Sequence, residues 1–346
     1  MVVVGSGSLT GPMSAPWRFL AEPPDVPGLA FRGFRGEQDF PAMRATKNTA
    51  EAADGGDQPA SLEDFVQTYR HLDHCDPATD LVIAEIDEEM VAYGRVQWWE
   101  EYAGPRCYQS FCFVLPGARG QGIGSAMLAH NEARLRQIAA GHPAGAERVF
   151  EVFHGDREQG AAALYAAAGY RPVRHGAEMV RPDLEGIPEV PLPEGLVVRT
   201  ARPDEMCRVW EAEVEAFRDH WGAAPPTEKD YQAFLEYPYN DPTLWRIAWD
   251  GEQVAGQVRS FINGPENEAM GRRRGYTESI SVRRPYRRRG LARALIAQSL
   301  HAVKERGMEE AALGVQTENI HGAFRLYESM GFRVVQSWTT LRKPLG

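Results

Sequence analysis

Cysteine is scarce, with 4 among 346 residues. Cys75, Cys107, Cys112 and Cys207 form no C-x-x-C pair and no set spaced with histidines, which excludes a small disulfide scaffold and a zinc motif. No metal is therefore expected, and the unpaired thiols suit a reducing cytoplasm. Long apolar runs are missing too. No segment approaches the roughly 20 residues needed to cross a bilayer, and Met1-Val2-Val3-Val4 is too short for the apolar core of a signal peptide. Positive charge is not in excess. The formal net charge of −10 argues against general nucleic-acid binding and inclines toward cationic small partners. Residues 1–15 are expected to be disordered, with Met13 an alternative start. A hydrophobic content of 43% over this length allows two domains with real cores, as a monomer or homodimer.

The most informative stretch runs from Val282 to Leu295, V-R-R-P-Y-R-R-R-G-L-A-R-A-L. Before it, Tyr276 to Val282 alternates apolar and polar residues as a half-buried strand does. After it, Ala292, Leu295, Ile296 and Leu300 recur at helical spacing. The arginines thus occupy a strand-to-helix loop, with Gly290 where the helix opens. A residue without Cβ there lets an anion approach the unpaired first-turn N–H groups, and pyrophosphate suits that geometry. The helix dipole adds roughly 0.3–1 kcal/mol for such an anion, and Arg287, Arg288 or Arg289 would add charge-assisted bonds.

The chain also repeats itself. Val114 to Leu128 lies over Val282 to Ile296 at an offset of 168 residues, so Arg119, Gly122 and Gly124 fall on Arg287, Gly290 and Ala292. Leu29 to Arg35 matches Leu196 to Arg202, Asp87 to Gly94 matches Asp250 to Gln257, and Ala163 to Tyr170 matches Arg325 to Phe332. Two tandem α/β domains follow, over 16–182 and 196–346, joined by a proline- and glycine-rich linker over 183–195. Each copy is expected to run strand, helices, hairpin, motif strand and helix, then strand, helix and a last strand that closes its own mixed sheet. Ala50 to Ser61 is expected to be a solvated, mobile loop.

The R-x-x-G-x-A pattern at Arg287, Gly290 and Ala292 resembles the acyl-CoA pyrophosphate loop of the GCN5-related N-acetyltransferase (GNAT) superfamily. Asn319 to Phe332, with L-Y-x-x-x-G-F, resembles the same family's later motif. The tandem arrangement is similar to that of mycothiol-synthase-like acetyltransferases, whose second copy is the catalytic one. The resemblance implies two mixed, mostly antiparallel twisted sheets flanked by helices, acetyl-CoA as co-substrate, and transfer of acetyl to a small-molecule amine. It places Ile280, Ser281, Val282, Arg287, Arg288, Arg289, Gly290, Leu291, Ala292 and Asn319 at the cofactor. In the first copy the same positions are Arg119, Gly120, Gln121, Gly122, Ile123 and Gly124. Phe217, His220 and Trp221 fall where the family places its acceptor-facing loop.

For the chemistry, Glu278 on the motif strand is the candidate base, on the face of Ile280 and Val282 if strict alternation holds. Tyr327 is the candidate proton donor to the departing thiolate. The first copy has Ser110 in place of Glu278, Tyr165 in place of Tyr327 and Arg157 in place of Asn319. It is expected to bind cofactor without turnover. A non-catalytic acyl-CoA sensor, or transfer to a protein or peptide amine, stands as the alternative.

Overall fold

The computed structural model describes residues 17–318 and 322–346. Residues 1–15 and Asn319 therefore lie outside the described residues. The first half runs β1 (Leu29–Arg32), α1 (Phe40–Ala53), α2 (Leu62–Arg70), α3 (Pro77–Asp80), β2 (Leu81–Ile86), β3 (Glu89–Glu100) and β4 (Arg106–Val114). It continues with α4 (Ile123–Ala140), β5 (Arg148–Gly155), α5 (Gln159–Ala167) and β6 (Arg171–Arg181). The second half repeats the plan with β7 (Val197–Arg199), α6 (Met206–Phe217), α7 (Glu228–Glu236), β8 (Arg246–Asp250), β9 (Gln253–Phe261) and α8 (Gly264–Met270). Then come β10 (Arg274–Val282), α9 (Leu291–Glu305), β11 (Glu310–Gln316), α10 (Ala323–Ser329) and β12 (Arg333–Pro344).

Local chemistry accounts for many of these boundaries. Ser61 and Thr227 close capping boxes with Asp64 and Asp230, which starts α2 and α7. Asp250-Gly251 turns the β8–β9 hairpin, with Gly251 at a φ of 58°. The apolar stripe of α9, Leu291, Leu295, Ile296 and Leu300, is buried against Ala248, Ala255 and Val258 of the sheet.

The halves do not close separately. The twelve strands of the described residues form one sheet in the order β1-β2-β3-β4-β5-β12-β6-β11-β10-β9-β8-β7. Each half's last strand is thus exchanged: β12 pairs antiparallel with β5, and β6 pairs antiparallel with β11. The expected self-closing sheets are replaced by this exchange, because alternation along a strand specifies its buried face and not its hydrogen-bonding neighbour. The two exchanged strands also pair with each other, with Gly176 opposite Trp338. A Cβ on Gly176 would lie 2.2 Å from the indole, so only glycine admits this ring to the seam.

The segment 50–61 differs from expectation as well. Ala50 to Ala53 belong to α1. Asp57 pairs with Arg272 and, at 3.2 Å, with Arg274 of the other half. Two basic partners on another element hold a carboxylate that sequence proximity could not foresee. A second tie is Arg342 on β12, which pairs with Glu101 and with Glu151 at 2.8 Å. The three side chains are only 10%, 8% and 5% exposed.

Removing Arg342 strands two buried carboxylates. Arg342→Met is expected to lower stability by about 3–5 kcal/mol in denaturant titration. Because β12 lies in the other half's sheet, calorimetry of the parent and the variant should show one cooperative transition and not two.

Candidate active site

The site begins where parallel pairing stops. β10 and β11 are parallel, but only Arg274–Tyr276 pair with Glu310–Ala312. Beyond Tyr276 each strand continues without the other, to Val282 and to Gln316, leaving a cleft. A cavity of about 680 Å³ fills it, lined by Glu278 to Val282, the loop at Arg287, Arg288 and Gly290, the start of α9, and Tyr327.

The loop is shaped by two left-handed residues. Arg288 has a φ of 60° and Gly290 a φ of 82°. In an L-residue such a φ costs roughly 1–2 kcal/mol, so Arg288 is held there by its surroundings. The first bond of α9 runs from Ala294 N to Gly290 O, so the N–H groups of Leu291, Ala292 and Arg293 have no acceptor within the helix. Among the described residues beyond its two neighbours, no atom lies within 4 Å of where a Gly290 Cβ would stand, and Gly290 lines the cavity.

Arg287 holds this loop in place. Its Nε donates to Val282 O at 2.9 Å, Nη2 to Ala216 O at 2.9 Å, and Nη1 pairs with Asp219 at 3.1 Å. The sequence offers Arg287, Arg288 or Arg289 to the phosphates; in the fold the Arg287 guanidinium spans β10 and the end of α6 while its residue still lines the cavity. Arg119 does the same in the first half, reaching Val114 O, Ala50 O and Asp54 at 3.1, 3.1 and 2.8 Å. Asp219 is held at about 2, below the usual carboxylate range, by its bonds to Arg284 and Arg287.

Glu278 stands at the mouth of the cleft. Its Oε1 accepts from Gly314 N at 2.7 Å across the gap between the strands. Burial pushes its carboxyl up from 4.5 to about 7, the Gly314 N–H opposes the shift, and the charges of Glu178 and Glu213 reinforce it. The strict alternation expected along β10 does not hold. A β-bulge between Glu278 and Ser281 shifts the register, and Ser279 takes a φ of 51°. Arg259 secures the bulge by donating to Ser279 Oγ at 2.8 Å while pairing with Glu213 at 2.7 Å. Glu278 also borders two further cavities, of about 1070 and 560 Å³.

Tyr327 is buried on α10 and lines the cleft with Glu278. Burial, and then the charge of Glu278, raise its phenol well above the usual range. The first half repeats the architecture, with a cavity of about 550 Å³ lined by Arg119, Gly120, Gly122, Gly124 and Tyr165. Its chemistry differs. Ser110 is buried and accepts from Asn131 Nδ2 at 2.8 Å, while Glu51, Asp54 and Glu158 make the lining acidic. Arg157 donates to Gly55 O at 3.4 Å.

Of the expected acceptor residues, Phe217 and His220 line the cleft, and Phe217 also lines the 560 Å³ cavity. Trp221 stands apart from these two. It is absent from the described linings of all these cavities, and its ring lies 4.2 Å from the Arg342 guanidinium and 5.6 Å from that of Arg174. Two cations over its face make it part of the joint between the halves. Sequence reasoning missed Trp338, Glu178 and Glu213 at the site. Trp338 and Glu178 arrive on the exchanged strands, where no motif marks them.

The model of the acetyltransferase (GNAT) family matches residues 47–170 and 207–332. The chain is 30% identical over 310 residues to a mycothiol acetyltransferase of Geodermatophilus obscurus, covering 87% of this chain and 94% of that protein. A second mycothiol acetyltransferase, of Salinispora arenicola, is 30% identical over 297 residues, covering 85% and 91%. The crystal structure of a GCN5-related N-acetyltransferase from Sphaerobacter thermophilus superposes with a TM-score of 0.70 at 26% identity, covering 92% of this chain and 96% of that one. A tandem GNAT protein from the clavulanic acid biosynthesis pathway shares the fold, with a TM-score of 0.66 at 18% identity over 92% of this chain and 99% of that one. With both family matches centred on the two cleft-forming halves, the chain belongs to the acetyltransferase (GNAT) family and is an N-acetyltransferase.

Proposed function

We propose that the second half transfers an acetyl group from acetyl-CoA to a primary amine of a small molecule by direct attack. The observation that carries this reading is Glu278, a carboxylate of raised pKa on the wall shared by the α9 cleft and two neighbouring cavities. Acetyl-CoA bound in the cleft supplies the acetyl group as a thioester. The N–H groups of Leu291 to Arg293 hold the pyrophosphate, with the Arg287 strut fixing the loop and Arg288 adding charge. The comparison with mycothiol acetyltransferases supports acetyl transfer to a small amine, and the size of the cavities beside Glu278 fits that class.

Glu278 takes a proton from the acceptor ammonium so that its nitrogen lone pair is free to attack. With the base at about 7 and an alkylammonium near 10.4, this proton transfer is uphill by roughly 4–5 kcal/mol in water. Desolvation of the ammonium narrows the gap. Tyr327, in the lining of the same cleft, would meet the departing sulfur. Its raised phenol pKa makes complete transfer of its proton unfavourable, so its contribution is a hydrogen bond to the thiolate as charge develops. The first half keeps the cradle and lacks the base. It binds cofactor more weakly, because Gly120 stands where the second half has Arg288, and Glu158 adds negative charge to its lining.

Glu278→Gln should lower kcat/KM by about 10²–10⁴-fold. In the parent enzyme the base works only when ionised, so kcat/KM should rise with pH through about 7 and then level, a limb absent in the variant. Stability should move the other way. The folded carboxyl holds its proton up to about 7 against 4.5 unfolded, so the parent loses stability across that window. Above pH 7 the neutral variant should melt higher than the parent.

For Tyr327→Phe, steady-state kinetics should show turnover reduced roughly tenfold or more with acetyl-CoA affinity within a few-fold.

Gly290→Val places a β-branched side chain at a φ of 82° and inside the anion space. Calorimetric titration should show the stronger of two acetyl-CoA sites lost. Gly122→Val should remove the weaker site and leave turnover within a few-fold at saturating acetyl-CoA.

A further inference from the structure

The cavity of about 1070 Å³ on the outer side of Glu278 lies between the halves. Its walls come from α2 and β3 of the first half, from α7 of the second, and from the exchanged strands β6 and β12. Aromatic faces are supplied by Trp98, Tyr237 and Trp338, and no lysine or arginine is among the described residues lining it. The carboxylates in the wall divide into two groups. Glu100, Glu178 and Glu266 are compensated by Arg106, Arg274 and Arg272, which stand behind the wall. Glu278 has no ion-pair partner among the described residues; Asp64 and Asp230 have none either, each accepting from its own helix's cap, Ser61 and Thr227; and Asp73 and Glu236 have only His74, at 3.8 Å, and His71, at 3.1 Å.

We propose that the acceptor carries at least two cationic nitrogens, one presented to Glu278 and another held toward Asp64 and Glu236 where α2 faces α7. This rests on the acetyl-transfer reading of Glu278, which makes the cavity an acceptor site; the uncompensated carboxylates then define the charge of what enters. A monoamine meets the base and leaves the far carboxylates facing water. A diamine or triamine answers both ends, with its methylenes against the aromatic walls. The phenol of Tyr237 on the same wall reports the field, being raised by burial and then by Asp64, with Glu278 and Glu266 contributing. The cation-reading wall therefore belongs in part to the half that lacks a base, and the two halves make one acceptor site.

The test compares butylamine, 1,4-diaminobutane and spermidine as acceptors of the whole protein at saturating acetyl-CoA, following thiol release. The di- and triamine should exceed butylamine in kcat/KM by about tenfold or more at low salt, and the ratio should shrink at 0.5 M sodium chloride, roughly as screening of surface charge requires. In the double variant Asp64→Asn, Glu236→Gln the ratio should fall to within about threefold. Glu236 is 46% exposed, so Glu236→Gln alone keeps the test open if the double variant does not fold, and it should lower the ratio a few-fold. Equal kcat/KM for mono- and diamine, or a ratio untouched in folded variants, overturns the two-cation inference while leaving acetyl transfer intact. No thiol release with any amine overturns the acetyl-transfer reading and this inference together.

Discussion

The site depends on a parallel strand pair that comes apart. β10 and β11 share three residue pairs and then separate, and the hydrogen bond from Gly314 N to Glu278 Oε1 bridges the gap. A closed ladder would satisfy both backbones and leave no room for a ligand. Open, it gives a long groove with a helix N-terminus at one end and a carboxylate at the other. The bulge at Ser279 and Ile280 lies beside it, interrupting the pairing of β10 with β9 just where the cleft begins.

Strand exchange makes that cleft a property of both halves. β6 lies beside β11, bringing Glu178 near enough to Glu278 to raise its pKa, and β12 brings Trp338 to the walls of two cavities. Proteins with duplicated domains commonly join them by a linker and a modest interface. Here the joint is continuous sheet, sealed by the Gly176–Trp338 contact and the buried Arg342 network. The half with Ser110 in place of Glu278 is therefore part of the wall of the 1070 Å³ cavity and of the sheet that supports the other half.

The two clefts show how one backbone plan yields different chemistry. In both, an arginine braces the loop against the strand end and a helix, and a left-handed glycine opens the helix. The position two residues before that glycine is Gly120 in one and Arg288 in the other, both left-handed. Only the second half accepts the backbone strain of arginine there, and only it has a carboxylate on the motif strand. Charge, strain and the candidate base coincide in one cleft.

Much of this was legible in the residues. The repeat, the hairpins, the motif loops and β11 over Glu310–Gln316 follow from periodicity and turn chemistry, which act over a few neighbours. Gly290 and Gly122 were legible as the openings of their helices, where both stand, and the fold adds that each is left-handed. The candidate base was legible as a residue, but its surroundings were not: a bulge displaced the alternation that placed Glu278, and its pKa depends on burial and on Glu178 from a strand about a hundred residues away. The Arg287 side chain, Trp221 and Asp57 each went to a partner distant in the chain. Local sequence determined which elements form and where a phosphate cradle could stand. Which strands pair, which charges are compensated and what shape the cavity between the halves takes were decided only by tertiary structure, because hydrogen-bond partners and electrostatic fields depend on distances in space that pattern along the chain does not encode.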